Sequence, residues 1–375
     1  MKRLVIEKEG VLYCNPRPGY KAECAFLANV VPLSETELIC FYRCGQAFYS
    51  ADGVLAKLRS TDGGLTWKQD GLVWEPARDD QPYNYTAPHG AKLRDGSLVL
   101  IAYRNDAHNP DRLVANPKTG GMIRAEHLLF RSDDGGQTWS PPEVMELQQQ
   151  ATTDTPSQIT ELESGRWFLA CEQWKDWDDP RPLHIQGYAL FSDDRGRSWG
   201  ERLDFPSADN RERMFSHSRY TRMLDGRVCA LQWTQQIGGQ QDFDLHFTVS
   251  DETATRWSEP QPTGIAGQTS WVADLGDGRL AAAYTRREGM KPGILALLSH
   301  DEGKTWDRKS EVMLWDAVGQ EYLGCERVPD YPASHDNIAF GKPNLARMPG
   351  GSLLASWWCT QACITHIRFA RLRIE

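Results

Sequence analysis

The stretch RSTDGGLTW at residues 59–67 recurs as RSDDGGQTW (131–139), FSDDRGRSW (191–199) and LSHDEGKTW (298–306), with a decayed copy, VSDETATRW, at 249–257. Each full copy follows an apolar run and has the order Ser-x-Asp-x-Gly-x-Thr/Ser-Trp. Asp, Ser and Thr side chains bond nearby backbone amides, and Gly accepts a positive φ, so every copy predicts the same tight turn. The closing tryptophans recur about every 60 residues, which is too long a spacing for a two-strand unit.

A second repeated signal lies upstream of each turn, where Asp-Gly or an equivalent pair separates two apolar runs. It is found in KLRDGSLVL (92–100), ELESGRWFL (161–169), RMLDGRVCAL (222–231), DLGDGRLAAA (274–283) and RMPGGSLLA (347–355), with a degenerate form in PLSETELICF (32–41). Such a pattern predicts a β-hairpin. Each repeat therefore holds two strand pairs, or four strands.

Six four-stranded units predict an all-β, six-bladed β-propeller that occupies residues 1–375 as one domain. The expected blades are 14–80, 81–150, 151–207, 208–262, 263–325 and 326–375. The last unit lacks a Ser/Asp turn and an outer strand. We expect the N-terminal strand, KRLVIEKEGVLY, to complete that blade and close the ring.

Composition excludes several classes of partner. The net charge is −9 and no Lys/Arg-rich block is present, so a nucleic-acid surface is not expected. No apolar run is long enough to span a bilayer, and no export signal follows the N-terminus, which predicts a cytoplasmic protein, or a secreted or periplasmic one if a signal was trimmed. The nine cysteines show no zinc-type spacing. We expect no metal and no cofactor, and the oligomeric state stays open.

The Ser-x-Asp-x-Gly-x-Thr-Trp turns resemble the Asp-boxes of the sialidase (neuraminidase) superfamily, and the resemblance covers nearly the whole chain. It implies a propeller that acts on carbohydrate. Asp-boxes also occur in glycan-binding propellers, in lyases and in non-enzymatic receptors, so the reaction is not given by the fold.

The site is expected on the rim opposite the boxes. The Asp-Gly hairpins and the Ser/Asp turns share one rim, so the other rim collects the starts of the first strands and the loops between second and third strands. Counting back six and eight residues from each hairpin keeps the parity of the strand. The count gives Asn29 and Leu27, His89 and Ala87, Gln158 and Pro156, Arg219 and His217, Trp271 and Thr269, and Asn344 and Lys342.

The loops at this rim add Arg43, Arg104, Asp106, Glu172 and Arg286. Two long stretches without a hairpin signal, 105–123 and 316–343, are expected to wall the mouth of the site or to form oligomer contacts. Asp52 lies seven residues before Arg59, a spacing that resembles that of the acid/base Asp of sialidases.

Sialidases hold the substrate carboxylate with three arginines, the first in an Arg-Ile-Pro motif. Here the matching strand reads LANVV, and the register of the sialidase tyrosine nucleophile holds Lys342, with Tyr331 upstream.

The sequence therefore predicts an exo-sialidase-like glycoside hydrolase that removes a terminal, possibly acidic sugar. In this hypothesis Asp52 is the acid/base, Glu172 or Asp106 is its carboxylate partner, and Arg43, Arg219 and Arg286 orient the sugar. Two alternatives remain. One is a polysaccharide lyase acting on a uronic acid, with His89 or His217 as the base; the other is a non-catalytic glycan-binding propeller.

Overall fold

Each sequence repeat folds as one antiparallel sheet in the computed structural model, which describes residues 2–147, 152–155, 157–206, 212–239, 241–287, 291–318, 339–362 and 364–375. Six such sheets form a six-bladed β-propeller, as the sequence predicts. The expected blade boundaries at residues 150, 207 and 325 fall outside the described residues, as do Pro156, Tyr331 and most of the stretch 316–343.

The strands of the first three blades follow one another along the chain. Blade one has β2–β5, at Cys24–Pro32, Leu38–Gly45, Val54–Ser60 and Lys68–Leu72. After a short 3-10 helix at Pro76–Arg78, blade two has β6–β9, at Tyr83–Lys92, Leu98–Asp106, Glu126–Ser132 and Glu143–Val144. Blade three has β10–β14, at Thr153–Asp154, Thr160–Glu161, Trp167–Gln173, Gln186–Ser192 and Gly200–Asp204.

The last three blades repeat the pattern. Blade four has β15–β18, at Arg213–Arg222, Val228–Gln236, Asp244–Val249 and Gln261–Ala266. Blade five has β19–β22, at Ser270–Gly276, Arg279–Arg286, Gly293–Ser299 and Asp307–Asp316. Blade six has β23–β25, at Phe340–Arg347, Leu353–Gln361 and Ile364–Ile374, and its outer strand is β1, at Leu4–Tyr13.

The ring closes through the two ends of the chain. Strand β1 pairs antiparallel with β25 from Leu4 opposite Ile374 to Tyr13 opposite Ile367. Leu4, Leu12 and Tyr13 are buried in this sheet. The expectation that the N-terminal strand supplies the missing outer strand is confirmed.

The Ser/Asp turns lie between the third and fourth strands and are closed by one recurring set of hydrogen bonds. In the second copy, Asp134 accepts bonds from the Ser132 hydroxyl at 2.8 Å and from the Thr138 amide and hydroxyl at 3.0 and 2.5 Å. These bonds, the one from the Thr138 hydroxyl first, lower the pKa of Asp134 to about 2. The turns also join neighbouring blades, because Gly136, at φ 83°, lies against Ile39 of blade one.

The core lies between the faces of adjacent blades. Apolar side chains from neighbouring sheets pack together, as Leu38 and Leu354 do between blades one and six. All seven cysteines among the described residues are free thiols. The described residues contain no helix with the length and apolar character needed to cross a membrane.

Candidate functional site

Among the described residues, the inner strands of blades one, two, four and six carry the same β-bulge at the rim opposite the Ser/Asp turns. The pairing of these strands slips after Phe26, Thr86, Ser216 and Gly341. One residue of each bulge has a positive φ: Leu27 (58°), Ala87 (51°), His217 (47°) and Lys342 (45°). This conformation costs a residue with a Cβ about 1–2 kcal/mol. Strain of this kind is concentrated at functional sites.

A cavity of about 40 Å³ lies at this rim and can hold a few water molecules. Apolar residues of the 105–125 segment and Trp174 form part of its wall. Its polar lining comes from blades one, two, three, four and six: Tyr49, Tyr103, Asn105, Thr152, Thr153, Asp154, His217 and Lys342.

Two carboxyl groups meet in blade three. Asp154 on β10 is the direct cross-strand partner of Glu172 on β12. One oxygen of each carboxyl and one ring nitrogen of His217 all lie within 4.8 Å of one another. The backbone amide of Ser218 donates to Glu172 Oε1 at 2.9 Å. The other oxygen, Oε2, is buried and has no hydrogen-bond partner among the residues that the structure describes.

The environment keeps Glu172 protonated at neutral pH. Its burial, followed by the negative charge of Asp154, raises the pKa of the Glu172 carboxyl to about 8. Asp154 is more accessible, since 17% of its side chain is exposed, against 2% of the whole Glu172 residue. The pair therefore combines a buried acid that still holds its proton with a more accessible carboxylate.

Two cations face this acid pair. Arg219 on β15 and Lys342 on β23 both interact electrostatically with Asp154 and Glu172. Burial is the main cause that lowers the pKa of Arg219 to about 10, and burial with the Arg219 charge lowers the pKa of Lys342 to about 8. Arg219 Nη1 donates to His89 Nε2 at 3.1 Å, which requires a neutral His89 ring. Burial accordingly keeps the pKa of His89 well below its usual value.

His217 is held beside the acid pair by aromatic contacts. Its ring lies 5.9 Å from that of Trp233, nearly parallel, and 5.6 Å from that of Trp174. His217 Nδ1 is 3.7 Å from Asp154 Oδ2. The histidine can thus exchange a proton with a group in the cavity or bind one of its polar atoms.

Asp154, Glu172 and His217 are also residue types that bind divalent metals. The positive charges of Arg219 and Lys342 oppose a cation at this position, because both act on the same two carboxyls. The cluster suits a small polar or anionic ligand better than a bare metal ion.

Five of the residues that the sequence singles out belong to this cluster. His217 and Lys342 line the cavity, whereas Glu172, His89 and Arg219 are buried and interact with Asp154, with His217 or with one another. Trp271 is next to them, with the Arg219 guanidinium 5.6 Å from its ring. Two other candidates connect neighbouring blades. Asn344 of blade six accepts a bond from the Val30 amide of blade one at 3.0 Å, and the Gln158 side chain of blade three is 3.5 Å from the Tyr220 carbonyl of blade four.

Arg43 and Asp52 belong to the loop between β3 and β4. Arg43 is fully buried and donates to the carbonyls of Ala47 and Ser50 at 2.6 and 2.8 Å. Asp52 is exposed and accepts a bond from the Gln46 amide at 3.1 Å. Both residues hold the loop in shape and lie outside the set of residues that lines the cavity.

Three further candidates lie in contacts of their own. Arg104 pairs with Glu126 at 2.8 Å and lies over the ring of Tyr83. Asp106 is exposed and pairs with His108 at 2.6 Å. Arg286 pairs with Glu311 at 3.0 Å beside a separate cleft between blades four and five.

Sequence reasoning missed Asp154, Tyr49 and Tyr103. Counting back from the third hairpin stops at Pro156, whereas Asp154 lies two residues further toward the rim with the same strand parity. The inner strand of blade three is divided into β10 and β11, which both pair with β12. One more step of the same count would have found the aspartate.

The comparisons with known proteins agree with this fold. The BNR/Asp-box repeat family matches residues 130–141. No curated protein sequence matches the chain significantly. A protein of unknown function from Dyadobacter fermentans has a similar structure, with a TM-score of 0.74, 18% identity and 99% of each chain covered.

Two similar structures are of named enzymes. The Hadza microbial sialidase Hz136 gives a TM-score of 0.66 at 16% identity, over 93% of this chain and 65% of that one. The alpha-L-arabinanase of Penicillium chrysogenum, complexed with arabinobiose, gives 0.62 at 12% identity, with 98% of each chain covered. At these identities the likeness shows the fold alone. The chain is therefore a six-bladed β-propeller that carries an Asp-box repeat and is similar in fold to a sialidase and an arabinanase.

Proposed function

We propose that this propeller is a glycoside hydrolase that removes a terminal acidic sugar from a glycan, with Glu172 and Asp154 as its catalytic pair. The observation that carries the proposal is the cross-strand pairing of these two carboxyls, one protonated at neutral pH and one accessible to the cavity. Glycosidases commonly use two carboxyl groups that differ in this way. Glu172 takes the role of proton donor, and Asp154 takes the role of the second carboxylate.

The spacing of the pair favours a retaining reaction. The two carboxyls are direct cross-strand partners with oxygens within 4.8 Å of each other, so they lie closer together than the ~6.5–9.5 Å that leaves room for a water in inverting enzymes. Glu172 gives its proton to the glycosidic oxygen as the C–O bond breaks, and an Asp154 oxygen bonds to the anomeric carbon. The Glu172 carboxylate then takes a proton from water, whose oxygen displaces Asp154 and restores both groups.

The charges at the site favour an acidic sugar. With Glu172 protonated, Arg219 and Lys342 carry two positive charges against the single negative charge of Asp154. A sugar carboxylate would balance that excess, and guanidinium is its best partner because it can bond both oxygens. One arginine and one lysine would then replace the three arginines of sialidases, the first of which is missing from the LANVV strand.

A lyase is the second candidate, because His217, Tyr49 and Tyr103 surround the same cavity. A histidine base beside a tyrosine, with Arg219 to neutralise the carboxylate, can abstract a proton next to a uronic acid carboxyl group.

Incubation with a panel of sialosides, uronosides and neutral glycosides separates the candidates. Hydrolysis releases a reducing sugar without new ultraviolet absorbance, and lyase action produces an unsaturated sugar that absorbs. Binding without turnover across the panel would contradict both and leave a glycan-binding propeller.

A further inference from the structure

We propose that a second groove at the same rim binds the sugar residues on the leaving-group side of the scissile bond. This inference rests on the proposed function. The outer groove, as it is called below, is formed by residues 46–50 of the β3–β4 loop, residues 110–117, and Thr360 and Thr365 of blade six. Its volume is about 580 Å³, within the ~300–1,000 Å³ of typical ligand sites. It can therefore accept two or more sugar units.

The outer groove adjoins the catalytic cavity. Tyr49 and Val114 line both spaces, one on each wall. In this proposal the terminal sugar lies at the mouth of the cavity beside Asp154, and the sugars that follow it lie in the adjoining outer groove.

Buried contacts hold the first wall of the groove in place. Arg43 fixes residues 47 and 50 through their carbonyls, and Asp52 fixes the amide of Gln46. A Cβ at Gly53 would lie 2.5 Å from Arg43 Nη2, so the loop packs closely on the guanidinium. Arg43 Nη2 also donates to Asn84 Oδ1 of blade two at 3.1 Å, so the buried guanidinium ties this wall to the neighbouring blade.

The second wall is held in a similar way. Asn116 Nδ2 and the Thr119 hydroxyl both donate to the Trp177 carbonyl, at 2.9 and 2.5 Å. These bonds tie residues 110–120 to the blade-three loop that follows Trp174. Two fixed walls reduce the entropy lost when a flexible saccharide binds.

The lining suits neutral sugars. The side chain of Gln46 and the hydroxyls of Thr360 and Thr365, which bond to each other at 2.8 Å, supply donors and acceptors for sugar hydroxyls. Phe48, Tyr49 and Leu113 supply apolar surface, and Leu113 is 57% exposed. The two charged residues of the lining, Asp111 and Arg112, have opposite signs. The expected occupant is a neutral di- or oligosaccharide that carries the acidic terminal sugar.

The test compares substrates that differ only in the leaving group. Ala47→Arg places a long side chain in the outer groove, and Ala77→Arg makes the same change at an exposed position of the 3-10 helix. With Ala47→Arg we expect KM for the oligosaccharide to rise by about tenfold and KM for an aryl glycoside to change by less than about twofold. With Ala77→Arg neither should change.

Leu113→Arg provides a second variant, and Leu224→Arg is its control, since both leucines are 57% exposed and Leu224 lies at the Ser/Asp-turn rim. Equal effects of the groove variants on both substrates, or no effect on either, would overturn the role of the groove.

Binding to an inactive variant separates failure of the groove from failure of the proposed chemistry. Calorimetry should detect binding of an oligosaccharide to the Glu172→Gln variant. Adding Ala47→Arg to that variant should raise the Kd by about tenfold. If wild type hydrolyses nothing but this binding is seen, the groove stands and the hydrolase proposal fails. If hydrolysis is seen and Ala47→Arg leaves the Kd unchanged, the groove proposal fails. Absence of both hydrolysis and binding rejects both proposals.

Discussion

Asp154 and Glu172 are direct partners across the β10–β12 ladder of blade three. Their closeness has an energetic consequence, because two carboxyls at this distance resist ionising together. Glu172, which is the more buried, keeps the proton. The local sheet register therefore creates the unequal pair of carboxyls on which the proposed function rests.

The pH dependence of activity should reflect this proton. Since the pKa of Glu172 is about 8, the proton donor is lost as pH rises through that value. We expect kcat/KM to fall about tenfold per pH unit above 8. Ser218, Asp154, Arg219 and His217 face the same carboxyl, and Lys342 titrates in the same range. The Lys342→Arg variant stays charged, so its kcat/KM should still fall above pH 8. If this fall disappears in the variant, the titrating group is Lys342 and not Glu172.

The burial of the Glu172 carboxyl should also lower the stability of the folded protein at neutral pH. A carboxyl whose pKa is raised on folding binds more protons in the native state, so stability falls as pH rises from the unfolded value near 4.5 to about 8. The Glu172→Gln variant removes this penalty and can keep the bond from Ser218. We expect the free energy of unfolding to increase on the order of 3 kcal/mol at pH 7.

Chemical denaturation of both proteins at pH 7 and about pH 4 checks this expectation. The difference should nearly vanish at the lower pH, where the group is protonated in both states. A variant that is less stable than wild type at pH 7 would show that burial does not penalise the charge.

Arg219 should govern the preference for acidic sugars. The Arg219→Gln variant removes the charge that faces the acid pair, so kcat/KM for an acidic substrate should fall about 10²-fold or more. A neutral analogue should lose much less. Arg286→Gln is the matched control, because Arg286 pairs with Glu311 beside a different cleft. Equal losses for acidic and neutral substrates would exclude a carboxylate at Arg219.

The Ser/Asp turns should affect stability without affecting chemistry. Asp134→Ala removes the acceptor for Ser132 and Thr138, and we expect a loss of about 1–3 kcal/mol in the free energy of unfolding. Asp133→Ala, at the exposed neighbouring position, is the control. Thermal unfolding and kcat measured well below Tm report the two properties separately. A large loss of kcat in Asp134→Ala would contradict a purely structural role.

The sequence predicts the fold well because the same turn motif recurs from blade to blade. Each turn is formed by hydrogen bonds among residues that are close together in the sequence. Counting back along the inner strands predicts His89 and Arg219 as rim residues. It also reaches His217 and Lys342, although these two lie in β-bulges that interrupt the alternation of the strand. It misses Asp154 because the count ends eight residues before each hairpin, and this aspartate lies two residues further back. Arg104 and Arg286 show a further limit, since both lie at strand ends but are paired with glutamates that spacing alone does not identify.

The proposed roles of Asp154 and Glu172 are tested most directly by a comparison of leaving groups. Rates are measured with two substrates that carry the same terminal sugar: an aryl glycoside with an acidic leaving group, and a glycoside whose leaving group is a sugar. The variants compared are Glu172→Gln, Asp154→Asn and Asp52→Asn. Glu172→Gln should lose about 10²–10⁴-fold on the sugar and far less on the activated aryl substrate, which needs no proton. Asp154→Asn should lose both activities, and Asp52→Asn should retain both to within about tenfold. If Asp52→Asn instead shows the selective loss on the sugar leaving group, the proton donor is Asp52 and the central assignment is wrong.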